Sequence, residues 1–434
     1  MRTLKLLAGA IAIVAFASCS NDTVVSNVET AQVAKQSIGF SPLTKGATRG
    51  VVNAAADLGD FAVTAYVNTP AAAGATDYYF GTSTPTNKTL TAGTVYESME
   101  NIKIQYNAGG WDYANAADLK YWPYIKKADG TYESTTTLDF EAISPASIGA
   151  TAAADGKFTS AYGGGSIQKY TVGTDDVCYA KTTGKQQSDG AVPMQFKHLL
   201  SQVVFAAKQA SGLTVEITEI KLAKVPNQAA WSAATDAWTV DGASTTADYA
   251  GVSGAVTVTA SGDAATPQVL TAAGSEILLI PQDASALTYD PTKIGKTVAG
   301  NAKGTETTGD PLVAVEDLGV ADAHWKTDNT YQASDKLFLK VTLSIKGSDG
   351  SYSIGSATTY ESIYFAVKTN WEAGKKYTYT LLFGGVKGPD GSAATSADIA
   401  GGTYNDGQAV FTSTPITFTA DVTDWVDADS QLAF

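Results

Sequence analysis

Along much of this chain apolar side chains recur at every second position. Phe61, Val63, Ala65 and Val67 fall on one face, as do Ile102, Ile104 and Tyr106, and then Leu138, Phe140 and Ala142. Val215 and Ile217 keep one phase, and Ile220 and Leu222 continue in the other. Tyr377, Tyr379, Leu381 and Phe383 alternate with threonines and one leucine, and Ile416, Phe418, Ala420 and Val422 with threonines and Asp421. A period of two is that of a strand with one buried face, and no long run shows the spacing of an amphipathic helix. Between these runs lie "KADGTYES", "GSDGSYS" and "KGPDGSAAT", where Asp-Gly supplies the positive-φ conformation of a tight hairpin. Many short strands joined by such turns predict an all-β protein built of two tandem β-sandwiches.

Residues 143–190 are weak in strand pattern and rich in Ala, Gly, Ser and Thr, and "VPMQFKHLLSQVVFAAK" then opens a dense apolar run. The division is therefore set near residue 190, with one sandwich over 50–190 and the second over 191–434. The segment 20–36 is polar and small-residue-rich and reads as a tether. No 20–50-residue repeat marks a solenoid or propeller.

The first nineteen residues, "MRTLKLLAGAIAIVAFASC", place Arg2 and Lys5 before an apolar run from Leu6 to Ala17, too short for a spanning helix. They resemble a bacterial lipoprotein signal (residues 1–18), with Cys19 as the residue to be lipidated; Phe16 stands where Leu is usual. Acylation contributes roughly 0.8 kcal/mol per buried methylene, so several chains together hold a protein on a bilayer. The 434 residues carry a formal charge of −14, and without Arg2 and Lys5 the remainder is at −16. Nucleic acid and anionic lipid surfaces are poor partners for such a chain.

With Cys19 lipidated, Cys178 is the remaining thiol of the two cysteines, which leaves no internal disulfide and suits a small buried side chain. A catalytic thiol, a metal site or a Ser-His-Asp triad would each have to use His198 or His324. His198 shares its strand phase with Phe196, which suits a packed, hydrogen-bonded ring. "AYGGGS" at 161–166 lacks the lysine and helix of a phosphate loop, and "GSDGS" and "GPDGS" lack the spaced carboxylates of a calcium loop. Trp111, Trp122, Trp231, Trp238, Trp325, Trp371 and Trp425 are scattered and suit core positions; clustered, they would offer a platform for glycans. The expectation is no enzyme, no cofactor and no metal.

Several stretches together resemble the fimbrillins, the two-domain β-sandwich lipoproteins that build type V pili of Bacteroidetes. They are "YWP", "LDFEAISPAS", "VPMQFKHLLSQVVF", "LTVEITEIKLAKV", "ILLIPQ", "NWEAGKKYTYTLLF" and "ITFTADVTDW", in that order after the signal and "IGFS…TRG". The resemblance implies transthyretin-like sandwiches and an outer-membrane lipid-anchored precursor that becomes an extracellular, adhesive pilus. It also implies maturation by an Arg-specific protease, which removes an N-terminal strand as part of a propeptide over 19–49. The strand's groove-filling side chains would be Ile38 and Phe40, Pro42 would end it, and the cut would fall between Arg49 and Gly50. Arg2 and Arg49 are the only arginines, so the 385 residues after position 49 offer that protease no second site. The emptied groove would take a strand from a neighbouring pilin subunit, head to tail, in a homo- or hetero-polymer. The candidate donor residues, past Phe383, are Ile416, Phe418, Ala420 and Val422, with Val410 less well patterned. Burying the three larger of these offers about 5–9 kcal/mol before ordering costs. The alternative reading is a non-polymerising surface lipoprotein that binds glycans.

Overall fold

The computed structural model describes residues 37–44, 58–67, 77–80, 86–88, 96–107, 110–122, 124–126, 132–133, 137–240, 245–262, 265–283, 337–365, 367, 370–383 and 416–424. Among them the chain is nearly all β, as the alternation predicts. Helical structure includes single 3-10 turns such as Ala116–Asp118.

A seven-stranded sheet runs in the order Phe40–Thr44, Val192–His198, Cys178–Lys185, Leu138–Ser144, Asp60–Val67, Tyr96–Asn107 and Gly110–Tyr113. Phe61, Val63, Ala65 and Val67 point into one core with Phe140, Trp122, Met194 and Phe196. The other face of the same strand is buried too, which the alternation alone does not announce. A five-stranded sheet of Gly149–Ala150, Phe158–Thr159, Ser166–Thr171, Gln228–Ser232 and Ala237–Val240 supplies a second core. There Ala62 and Ile143 pack with Phe158, Ile167, Tyr179 and Trp231.

The apolar run that begins at Val192 is two strands serving different sheets. Val192–His198 pairs with Cys178–Lys185 and with Phe40–Thr44, whereas Ser201–Gln209 lies parallel to Lys375–Phe383. The change of sheet therefore comes at Leu199 and Leu200, and both leucines are buried. The sheet of 149–240 also draws strands from both sides of residue 190.

The remaining core lies between two further sheets. One runs Gln268–Val269, Ser201–Gln209, Lys375–Phe383, Ile416–Asp424, with Ile277–Leu279 also on Ser201–Gln209. The other runs Thr246–Thr257, Thr214–Pro226, Phe338–Lys346, Tyr352–Ile354, with Glu361–Phe365 also on Phe338–Lys346. The phase reversal between Ile217 and Ile220 is an irregularity at Thr218, where the register slips against both neighbouring strands. An extra residue of this kind turns the following side chains back to the same face, so Val215, Ile217, Ile220 and Leu222 all enter one core. Gly251 meets the Phe205 ring so closely that a Cβ there would lie 2.2 Å from Cδ2.

Candidate functional site: the groove of the first strand

The segment from Ser37 to Thr44 connects the two ends of the seven-stranded sheet. On one side Phe40–Thr44 runs parallel to Val192–His198, and Val192 N donates to the Gly39 carbonyl at 2.8 Å. On the other side Ile38 N donates to the Lys120 carbonyl at 2.9 Å, and Ser37 bridges Tyr121. Tyr113, in the strand at the far end of the sheet order, donates its hydroxyl to the Ile38 carbonyl at 3.0 Å. The sheet is thus curled, and this segment closes it.

The side chains alternate as the spacing requires. Ile38 and Phe40 are 1% and 7% exposed, whereas Ser37, Gly39 and Ser41 face solvent. Phe40 is gripped by aromatic edges, with ring centroids 5.9 Å from Phe61, 5.9 Å from Phe140 and 6.2 Å from Tyr113. Behind these, Phe61 lies 5.2 Å from Phe196 and Trp122 lies 6.1 Å from Phe140. Burial pushes the Tyr113 phenol far above its usual range, so it remains a donor. Pro42 does not end the strand: it is buried inside it, with pairing running on to Thr44. A proline is tolerated here because the strand lies at the end of the hydrogen-bonded order, where one missing N–H costs little.

The candidate cleavage residues Arg49 and Gly50 and the candidate lipidation residue Cys19 lie outside the described residues, as does Val410. The candidate donor segment is described as a strand. Ile416–Asp424 pairs antiparallel with Lys375–Phe383 over nine positions, at the outer end of its sheet. Ile416, Phe418, Ala420 and Val422 stand in register opposite Phe383, Leu381, Tyr379 and Tyr377, four residues that face the core. The structure does not bring this strand to the groove of Ile38 and Phe40; it lies in another sheet.

The family described as Fimbrillin-like matches residues 48–425. That is most of the sequence. The chain belongs to the fimbrillin-like family. It is similar to a fimbrial protein from Bacteroides vulgatus of solved structure, at 16% identity over 90% of this chain and 99% of the other, with a TM-score of 0.47. It is also similar to the tip fimbrial protein Mfa3 from Porphyromonas gingivalis, at 9% identity over 88% of this chain and 98% of the other, with a TM-score of 0.26. No curated protein matches the chain.

Membership makes this fimbrillin a pilus- or adhesion-related structural protein of the cell surface rather than an enzyme. Its interior chemistry agrees. Cys178 and His198 are opposite one another in adjacent strands, and Asp176, two residues before Cys178, joins them. His198 Nδ1 lies 2.6 Å from Asp176 Oδ2 and 3.5 Å from Cys178 Sγ, and Sγ donates to Oδ2 at 3.3 Å. Burial, and then the Asp176 charge, push the thiol well above its usual range. A nucleophile needs the opposite shift, so the raised thiol favours a packed role over a nucleophilic one. His198 and Cys178 are both buried, as their strand phase suggests. Asp176 carries no signal in the sequence beyond its two-residue spacing to Cys178.

The tryptophans among the described residues form no surface platform. Trp122, Trp231 and Trp371 are buried, Trp111 packs on Phe61, and Trp238 donates Nε1 to the Leu199 carbonyl at 2.6 Å. Trp325 and Trp425 lie outside the described residues. "AYGGGS" is a loop fastened by the buried Glu141. That carboxylate accepts from Ser160 Oγ at 2.7 Å, Tyr179 OH at 2.6 Å and Gly165 N at 2.7 Å.

Proposed function

We propose that this fimbrillin is made as a lipoprotein precursor acylated at Cys19 and cut by an Arg-specific protease between Arg49 and Gly50. Released from the body, residues 37–44 leave the groove, and a strand from a second pilin subunit replaces them, extending a pilus at the outer membrane surface. One observation carries this reading. The segment that closes the curled sheet through Ile38 and Phe40 precedes the lone arginine of the post-signal chain, so one cut separates it from everything else. Withdrawing two buried side chains at about 1.5–3 kcal/mol each leaves an open strand edge along Val192–His198 and two empty apolar sites. Strand addition satisfies both at once, with the backbone pairing along the edge and alternate side chains filling the sites.

The proposed donor carries Ile416, Phe418, Ala420 and Val422, and Ile416 and Phe418 repeat the Ile-x-Phe spacing of Ile38 and Phe40. To act in trans it must leave Lys375–Phe383. The nine-position ladder it makes there favours a second reading, in which Ile416–Asp424 belongs permanently to its own sheet and the donor lies elsewhere in the chain. The deciding experiment treats purified precursor with an Arg-specific protease and follows assembly by gel and electron microscopy. Ladders of discrete oligomers are expected. A cleaved product that stays monomeric at all concentrations sinks the polymerisation reading and leaves a surface adhesion protein.

A further inference from the structure

The geometry points to a zinc-class transition-metal site at Asp176, Cys178 and His198, in the strand pair that supports the groove. The donor set is the first ground. A thiolate sulfur, an imidazole nitrogen and a carboxylate are the ligands that select such ions, and they converge here, Cys178 and His198 from two adjacent strands and Asp176 from the loop that leads into the first. The spacing is the second. An ion held at about 2.0–2.3 Å by tetrahedral donors separates their atoms by roughly 3.3–3.8 Å. Sγ to Nδ1 is 3.5 Å and Sγ to Oδ2 is 3.3 Å, so two of the three separations already stand near that span. Only the hydrogen-bonded Nδ1–Oδ2 separation of 2.6 Å has to open, by roughly 0.7 Å.

The third ground is an orphan. Asp176 Oδ1 is buried and has no hydrogen-bond partner among the described residues. A buried carboxylate oxygen without a partner calls for an explanation, and an ion supplies one. With one ligand atom from each side chain, the set is one sulfur, one nitrogen and one oxygen, three protein donors that leave a fourth position for water. Binding releases the thiol proton, and any proton on Nδ1, to solvent. All three residues are buried, so the ion enters while the chain folds. Cys178 also belongs to the core that receives Ile38 and Phe40, and the metal would stiffen the two strands flooring that groove.

The test uses the full chain with Cys19→Ser, which removes the other thiol, expressed in cobalt-supplemented medium. The expected result is close to one cobalt per chain with a thiolate-to-cobalt charge-transfer band, absent from the chain expressed with zinc in place of cobalt. Cys178→Ser, which keeps size and hydrogen bonding, abolishes the band and lowers retained metal about tenfold or more. Asp176→Asn weakens retention while keeping the band. A folded chain with no thiolate band overturns the site, as does equal metal retention by Cys178→Ser. Should a variant fail to fold, the spectrum of the Cys19→Ser chain alone decides.

Discussion

The strands that begin and end the described fold are held in opposite ways. Phe40–Thr44 has five ladder positions, parallel, along Val192–His198, and its grip comes from two buried side chains and an aromatic cage. Ile416–Asp424 has nine, antiparallel, along Lys375–Phe383, opposite four residues that face the core. Parallel pairing is slightly weaker per residue, so the first strand depends on its pockets more than on its hydrogen bonds. A strand held by pockets can be replaced by another with the right side chains. A strand held by a long ladder must first be peeled away, which makes its release the costly step in the proposed exchange.

The largest effect expected is all-or-none. Arg49→Ala leaves the first strand covalently attached, and an Arg-specific protease then yields no oligomers from the variant on a gel. Normal assembly by Arg49→Ala would remove the first strand's special status. Next comes the double substitution Ile416→Asp and Phe418→Asp. It is expected to give a folded monomer, by circular dichroism and gel filtration, that is cut normally and does not elongate. Global unfolding instead would mean that the last strand is as much a core element as the four residues it opposes.

Phe40→Ala acts on the first strand's pockets. Removing a fully packed phenylalanine costs about 3–5 kcal/mol, seen as a lower denaturant midpoint of the uncut precursor. After cleavage and removal of the first strand, variant and parent are expected to have the same midpoint. A loss that persists after cleavage would show that Phe40 had not left with the cut.

How far the molecule could be read from its sequence depended on whether the relevant neighbours were close along the chain. Alternation is local, so the strand of Phe61, Val63, Ala65 and Val67 was legible. The phase slip after Ile217 was legible too, as an irregularity now seen at Thr218. The second buried face at Ala62 and Ile143 was not, because the sheet covering it is assembled from segments on both sides of residue 190. The division near 190 followed the apolar run from Val192, yet the chain changes sheets at Leu199 and Leu200 without a Gly or Pro to mark it. Ile38 and Phe40 were singled out by the family resemblance and are buried, but Pro42 misled, since a proline at the end of a sheet interrupts nothing. Asp176 was one acid among 43 Asp and Glu, and only the pairing of two strands brings it to His198.

The finest probe of the contrast is Tyr113→Phe. Its hydroxyl donates to the Ile38 carbonyl, a bond from the far edge of the curled sheet to the first strand's backbone, with no counterpart required in the last strand's ladder. Leaving that buried carbonyl unpaired costs the precursor about 1–2 kcal/mol, measurable as a shifted denaturant midpoint. The deficit has a pH signature. Burial holds the phenol protonated in the folded state far above its usual range, so the parent loses stability as pH rises through the ordinary phenol range, and the variant is spared that loss. The gap between them therefore narrows at alkaline pH. In the cleaved monomer the gap should vanish. In the polymer it should return, because a donor strand seated in the same groove brings its own carbonyl to Tyr113; a polymer indifferent to Tyr113→Phe would mean that the incoming strand does not retrace the path of the one it replaced.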